Sequence, residues 1–450
     1  MTRTRTLAHI SSDSDSDWNI SITNLIGVHT CLLIPEILRH IFSDIYLSGT
    51  EGGLQYYWGR GSVQPERGVA RRSLVALSCV CRSFKDVALD ILWAELENLE
   101  PLFTSLPRGL WTLTECQQHV VRRPVTMNDW AIFRQYASRV RVLGNTRSDL
   151  FGGVNTEFVH AIMAFSSNSQ LMPNLRALCC GFCPPVRHPC MRYLLGPSLV
   201  YIRLTSNTDK FWTNIMSSLI SGLGRHSLRL EVVALGGMSP GVAELALCEP
   251  GLPHLRRVSL TSLTNKTLLC LSRLVGLEKL DITIPEDLEA VKLQFRTTLR
   301  RLVIRISTLT SSQDLAEGWV VPCKHLELSP DITESAFDIE HTLRGMNDRL
   351  LCNCLRSIHL HGPKSRDHVD YAFSLRTFTP LLQFSRLKSI NLATSYMSLL
   401  TDDALGSVVK SWPCLEELYL GNISGGHDPR SLLRALCLSS RLAPISGSLV

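Results

Sequence analysis

The residues best equipped for chemistry in this chain are its thiols, fifteen in 450 residues. Cys179-Cys180-x-x-Cys183, with His188 and Cys190 following, carries the ligand types of a zinc centre. Zinc needs four soft donors in tetrahedral reach, and a Cys-x-x-Cys knuckle supplies two. The remaining ligands are crowded against Pro184, Pro185 and Pro189, and no second Cys-x-x-Cys pair follows. Cys180 also occupies an apolar slot of the pattern described below. The expectation is reduced structural cysteines acting as small hydrophobes, with no metal. Cys352-x-Cys354 is read the same way. A serine elbow, a His-activated cysteine or a phosphate-cradling glycine loop would each leave a local signature. Gly222-Leu-Gly224 and Gly236-Gly237 lack the strand–loop–helix context with a following Lys, and read as turns. No catalytic residue and no cofactor are expected.

What remains is recognition chemistry, and a repeat must position it. From about residue 171 the unit apolar-x-x-apolar-x-apolar recurs. It runs from Leu175-x-x-Leu178-x-Cys180 through Leu199, Leu230, Leu255, Leu277, Leu299, Cys323, Leu355 and Leu387 to Leu415-x-x-Leu418-x-Leu420. Ten ordered copies, 22 to 32 residues apart, predict stacked units. Each gives one short strand whose alternate apolar side chains point inward, and a return segment that is often a helix. Ser329–Asn353 and His361–Arg386 are candidate inserted helices, and Thr401–Trp412 is the clearest return helix. The positions between the apolar residues then line one face. They include Tyr201, Arg203, Arg257, Lys279, Arg301, His325, His359 and Tyr419. At a strand spacing of about 5 Å, Arg203, Arg257, Lys279 and Arg301 are expected to form a basic stripe. Guanidinium groups suit carboxylate or phosphate, so the expected ligand is an acidic or phosphorylated protein segment.

Ahead of the repeats lies a helical stretch. Ile34, Ile37, Leu38, Ile41, Phe42 and Ile45 make the stripe of an amphipathic helix. Pro35 suits its first turn, and Glu36 complements the helix dipole. A second stripe runs over 74, 77, 80, 81, 84, 88, 91 and 92, with Ser73 as its expected N-cap. Between them, 48–72 is Gly-rich, carries Tyr56-Tyr57-Trp58 and reads as an inserted loop. Helices this short cannot bury an apolar stripe alone. A module of some sixty residues leaves apolar surface outside unless a partner covers it.

The order Pro-Glu-Ile-Leu-x-x-Ile-Phe, then Leu-x-x-Val-Cys-Arg-x-Phe, then Leu-Trp resembles an F-box. The repeat unit resembles the irregular leucine-rich repeats that follow it in F-box/LRR proteins. The whole chain is similar to the F-box/LRR-like proteins of mushroom-forming fungi, although its inserted loop is long for an F-box. The resemblance implies an α/β chain: a small trihelical F-box module followed by a curved leucine-rich-repeat solenoid, parallel strands inside and helices outside. It implies a substrate-receptor subunit of an SCF-type ubiquitin ligase, performing no covalent chemistry itself. The module would dock on a Skp-type adaptor and through it a cullin, while the solenoid binds the client. Ile34, Pro35, Ile37, Leu38, Ile41, Phe42, Leu77, Val80, Phe84 and Trp93 are expected to divide between module core and adaptor contact. Pro35 and Leu38 match the opening of the motif and are the leading contact candidates. The rival readings are a non-catalytic F-box/repeat scaffold outside ubiquitin transfer and an enzyme with a divergent repeat-bearing domain.

Composition is consistent with this organisation. A net charge of +6 is mild for the length and calls for neither nucleic acid nor a membrane as partner. No apolar run approaches a membrane span, and residues 1–10 lack the apolar core of a signal peptide. Reduced thiols then point to the cytoplasm or nucleus. The expected divisions are a disordered acidic Ser/Asp tail over 1–30, the module over 31–97, a helical connector and first repeat over 98–170, and repeats over 171–450. Ser11–Asp17 is a candidate for an acidophilic kinase, and the end after about 440 is expected to fray.

Overall fold

A computed structural model describes residues 34–47, 66–146, 148–166, 170–181, 183–205, 212–248, 252–286, 288–289, 291–309, 319–332, 335–347, 354–361, 375–392, 406–408 and 410–419. The 1–30 tail, the Tyr56-Tyr57-Trp58 cluster, the first residues of the 401–412 segment and everything after 419 lie outside them. The chain divides into two units, Met1–Leu92 and Trp93–Val450.

The first unit is a three-helix bundle of α1 (Pro35–Leu47), α2 (Glu66–Ser78) and α3 (Arg82–Leu92). Its core is Leu38, Phe42 and Tyr46 from α1, Leu74 from α2, and Val87 with Ala88 from α3. Phe42 and Phe84 meet edge to face, with centroids 5.3 Å apart. Part of the inserted loop is helical: 66–72 form the first two turns of α2, so the loop ends before Glu66. Ser73 is therefore no N-cap. It sits in mid-helix, and its Oγ donates to the Val69 carbonyl one turn back at 3.2 Å. The start signal is Pro65-Glu66, the same pair that opens α1 as Pro35-Glu36. Helix α2 ends where Cys79 N–H and Val80 N–H turn back onto Ala76 and Leu77 carbonyls at 3.1 and 3.2 Å.

The second unit is a repetitive α/β body. Twelve strands form one sheet in chain order. They are β1 (Glu95–Leu96), β2 (Val142–Leu143), β3 (Ala177–Cys180), β4 (Tyr201–Thr205), β5 (Val232–Gly236) and β6 (Arg257–Leu260). Then come β7 (Lys279–Ile284), β8 (Leu299–Ile306), β9 (Cys323–Pro330), β10 (Ser357–Leu360), β11 (Ser389–Asn391) and β12 (Glu417–Tyr419). Every pairing is parallel and keeps the sequence motif in register. The middle apolar position runs Leu178, Ile202, Val233, Val258, Leu280, Leu302, Leu326, Ile358, Ile390, Leu418 as one line of partners. The flanking motif positions from Leu175 to Leu392 are buried in a single core with the return helices. Those helices include Thr156–Met163, Asn214–Ser221, Pro240–Leu247 and Asn265–Arg273. The insert expected within 329–353 contains the helix Ala336–Asn347. Parallel strands need crossovers, and these helices supply them.

The sheet starts earlier than the sequence suggested. Glu95–Leu96, grouped by sequence with the helical module, pairs with Val142–Leu143. Trp93 goes with it: its ring lies 4.6 Å from that of Tyr136 and packs on the core of the second unit. An aromatic cluster, Phe103 against Phe133 and Phe158, fills this first part of the body. Its helix Met127–Ala137 opens on Thr126 as a full capping box with Asp129.

Candidate functional site

Two surfaces stand out, one on each unit. On the bundle, the apolar arc of α1 is wider than the core it feeds. Leu38, Phe42 and Tyr46 turn inward, and Leu38 is 1% exposed. Ile34, Ile37 and Ile41, spaced three and four residues apart on the adjoining stripe, are left outside, as is Pro35. Val80, in the turn between α2 and α3, is exposed as well. Leu77 and Phe84 are half-buried against the bundle core. Of the two leading contact candidates, Pro35 is at the surface, whereas Leu38 is a core residue and cannot reach a partner. Phe42 is likewise core.

On the second unit, the outward strand positions form two lines of neighbours. The first reads Ala177, Tyr201, Val232, Arg257, Lys279, Arg301, His325, Ser357, Ser389, Glu417. The second reads Cys179, Arg203, Ala234, Ser259, Asp281, Val303, Glu327, His359, Asn391, Tyr419. Arg257, Lys279, Arg301 and His325 are thus consecutive partners on four adjacent strands. Arg203 is not in their line, which corrects the expected stripe. It stands in the second line and is cut off from β6 by the buried Val232 and Ala234. Tyr201, 4% exposed, is held by side-chain hydrogen bonds to Cys179 and Arg203 and offers little surface. His359 is in the second line on β10, and Tyr419 is three strands beyond His325 on β12.

A further line of charge escaped the motif reading. The residue just before each first-line position on β6 to β10 is Arg256, Glu278, Arg300, Lys324 and Arg356. The strands are held by a bulged link: one carbonyl accepts two successive N–H groups of the next strand. Glu278 O accepts from Arg300 N at 2.6 Å and Arg301 N at 3.1 Å, and Arg256 O accepts from Glu278 N at 2.7 Å and Lys279 N at 3.0 Å. This stacks the preceding residues beside the first line at the amino-terminal edge of the sheet. Over β6 to β10 the edge collects Arg256, Arg257, Lys279, Arg300, Arg301, Lys324 and Arg356, with Glu278 and Glu327 as the carboxylates among them. The electrostatics follow. Lys279 is pushed below the ordinary lysine range by partial burial and then by Arg257, Arg300 and Arg301. His325 is held low by burial, then by His359, Arg300, Arg301 and Arg356.

The carboxylates of the second line are paired with cations of the same chain. Arg301 pairs with Glu327, and His361 Nε2 lies 3.7 Å from the same carboxylate. Arg305 makes two bonds to Asp281, at 2.5 and 3.0 Å, and Ser259 Oγ donates to that carboxylate at 3.3 Å.

The thiol cluster is packed into the core of the second unit. Cys179, Cys180, Cys183 and Cys190 are buried. Burial pushes the Cys179 and Cys190 thiols up to about 11. His188 is fully buried and held below the ordinary imidazole range, mainly by burial. As a neutral ring it donates from Nε2 to the Cys183 carbonyl at 3.0 Å and accepts at Nδ1 from Thr213 Oγ1 at 2.9 Å. Both nitrogens are committed. Among the described residues no group of three or more His, Cys, Asp or Glu is arranged to hold a metal, and no helix is long and apolar enough to cross a membrane.

Set against known proteins, the chain matches no family model, and no curated protein sequence matches it.

Proposed function

We propose that the chain is the substrate-receptor subunit of an SCF-type ubiquitin ligase. In this reading the bundle is an F-box-like module that docks on a Skp-type adaptor and through it a cullin. The repetitive body is a leucine-rich-repeat-like solenoid that binds the client protein on its outward strand face. The receptor performs no covalent chemistry. It raises the effective concentration of a client lysine near the charged conjugating enzyme.

The observation that carries the reading is the uncovered apolar stripe of α1. Ile34, Ile37 and Ile41 lie beside an already filled core, and contiguous exposed apolar surface on a small bundle marks a protein-interaction site. The order Pro35-Glu36-Ile37-Leu38 and Val80-Cys81-Arg82-x-Phe84 supplies the family resemblance that names the partner. The test is co-purification of the tagged full-length chain with purified Skp-type adaptor and cullin. The reading requires recovery of both. Recovery of the adaptor with the cullin always absent would instead favour a scaffold outside ubiquitin transfer, and recovery of neither would end the proposal.

A further inference from the structure

Two adjoining return helices, Pro240–Leu247 and Asn265–Arg273, meet along a seam with two rungs. Stacked units repeat at a local offset, so a residue on one helix faces its counterpart one unit later. The first rung is Glu244 and Lys266, 22 residues apart. Lys266 Nζ donates to Glu244 Oε1 at 2.5 Å, and Thr264 Oγ1 donates to the same carboxylate at 3.2 Å. Four residues further along each side, the same offset of 22 brings Cys248 opposite Cys270. Cys248, the carboxyl-terminal cap of the first helix, donates from Sγ to the Lys266 carbonyl at 3.7 Å, one turn from Cys270. The two thiols share a side-chain hydrogen bond. Both are partly exposed. Cys180 and Cys183 also touch, but both are shut in the core, away from any oxidant in solution.

We propose that Cys248 and Cys270 are a redox modification site: hydrogen peroxide converts the dithiol to a disulfide that staples two neighbouring units, and small thiols reverse it. The chemistry balances with one peroxide. One sulfur, as its thiolate, attacks a peroxide oxygen. The O–O bond breaks, an S–OH group forms, and the other oxygen leaves with the thiol's proton as water. The second thiol attacks that sulfenic sulfur. The S–S bond forms, the S–O bond breaks, and hydroxide leaves with the second proton as water. Burial first, and then Cys270, pushes the Cys248 thiol up to about 12. Cys248 therefore keeps its proton and resolves, and Cys270 is the attacking sulfur. The Lys266 ammonium acts on both sulfurs and favours the thiolate.

The staple has a mechanical consequence. In a repeat body each unit contacts only its neighbours, so a covalent tie strengthens one interface directly. This one closes the 21 residues between the thiols and joins the units of β6 and β7, the strands of Arg257 and Lys279. It lies on the return helices, so it stands whether or not the chain joins a ligase.

The test exposes the reduced full-length protein to a small excess of hydrogen peroxide at neutral pH. Remaining thiols are blocked with N-ethylmaleimide, and the unreduced digest is mapped by mass spectrometry. The peptide joining Cys248 to Cys270 should dominate the crosslinks. It should form about ten-fold or more faster than in urea, where the chain no longer holds the two thiols together. Glutathione should erase it. The oxidised protein should melt about 3 °C or more above the reduced protein. Cys248→Ser should abolish both the link and that rise, and leave a dimedone-reactive sulfenic acid at Cys270. Circular dichroism checks its fold, and Cys248→Ala replaces it if it fails. Oxidation of the exposed Cys116 while Cys248 and Cys270 stay unlinked would overturn the proposal, as would equal rates of linking in folded and urea-unfolded protein. A linked protein that melts with the reduced one would overturn the staple.

Discussion

Replacing Ile37 by Gln together with Val80 by Ser separates docking from folding on the helical bundle. Ile37 is 36% exposed and Val80 65% exposed. Fully burying such a side chain is worth about 1.5–3 kcal/mol. Only the portion still facing solvent is available to a partner. Scaling by exposure gives about 0.5–1 kcal/mol for Ile37 and about 1–2 kcal/mol for Val80. The double variant should therefore lose about 1.5–3 kcal/mol of adaptor binding, a rise in Kd of roughly ten- to a hundred-fold. Gln keeps methylenes where the covered part of Ile37 lies, so the bundle should melt near the wild-type temperature. Leu38→Ala is the opposite case. It empties a core position that is 1% exposed and should cost about 2–5 kcal/mol of bundle stability. Titration calorimetry against purified Skp-type adaptor, paired with thermal melts, reads both quantities. A folded Ile37→Gln, Val80→Ser protein that binds adaptor with wild-type affinity would refute the reasoning, because the surface carrying it would then be irrelevant.

The remaining predictions concern the repeat body. Asp129, 1% exposed, caps the helix Met127–Ala137 and takes two bonds from Arg123 at 2.7 and 2.9 Å. Asp129→Ala should cost about 2 kcal/mol in urea unfolding, a cap plus an ion pair discounted because Arg123 is partly exposed. The Arg123 hydrogen bond, with help from Thr126, lowers the Asp129 carboxyl to about 2 from 3.8. Its stabilisation is therefore complete above pH 3.8 and drains away as pH falls towards 2, a loss the Ala variant should not show. His188 runs the same way at higher pH: its folded pKa lies below 6.5, so its contribution is intact above 6.5 and is lost as pH drops beneath it. His188→Gln should flatten that part of a melting-temperature profile. Gly144 has φ +88°, and an added Cβ would lie 1.9 Å from the Cys179 carbonyl oxygen. Gly144→Ala should thus destabilise by about 3 kcal/mol or more. Gly345, mid-helix with nothing within 4 Å of an added Cβ, should gain about 0.5–1 kcal/mol on the same change. Urea melts showing the two glycine variants shifted in the same direction would contradict the backbone described for them.

What could be read from the sequence, and what could not, follows from how far each feature depends on distant packing. The repeat was legible because its apolar spacing is local, and the structure turns that spacing into one in-register line from Leu178 to Leu418. On α1 the stripe was legible but its division was not. Ile37 and Leu38 are equally apolar neighbours, and only the placement of α2 and α3 decides that Leu38 turns inward. Helix α2 was hidden by glycines, although Pro65-Glu66 announces it. The basic edge was half legible. Strand alternation finds Arg257, Lys279 and Arg301, because successive side chains change faces where each N–H meets its own carbonyl. It assigns Arg256, Arg300 and Lys324 to the opposite face. At the bulged link one carbonyl takes two N–H groups, the alternation slips, and Arg300 comes close enough to Lys279 and His325 to add to the lowering that burial imposes on both. The cationic surface is therefore a product of the bulge as much as of composition. An insertion that removed the shared Glu278 carbonyl just before β7 should disperse the charge while leaving every arginine in the sequence.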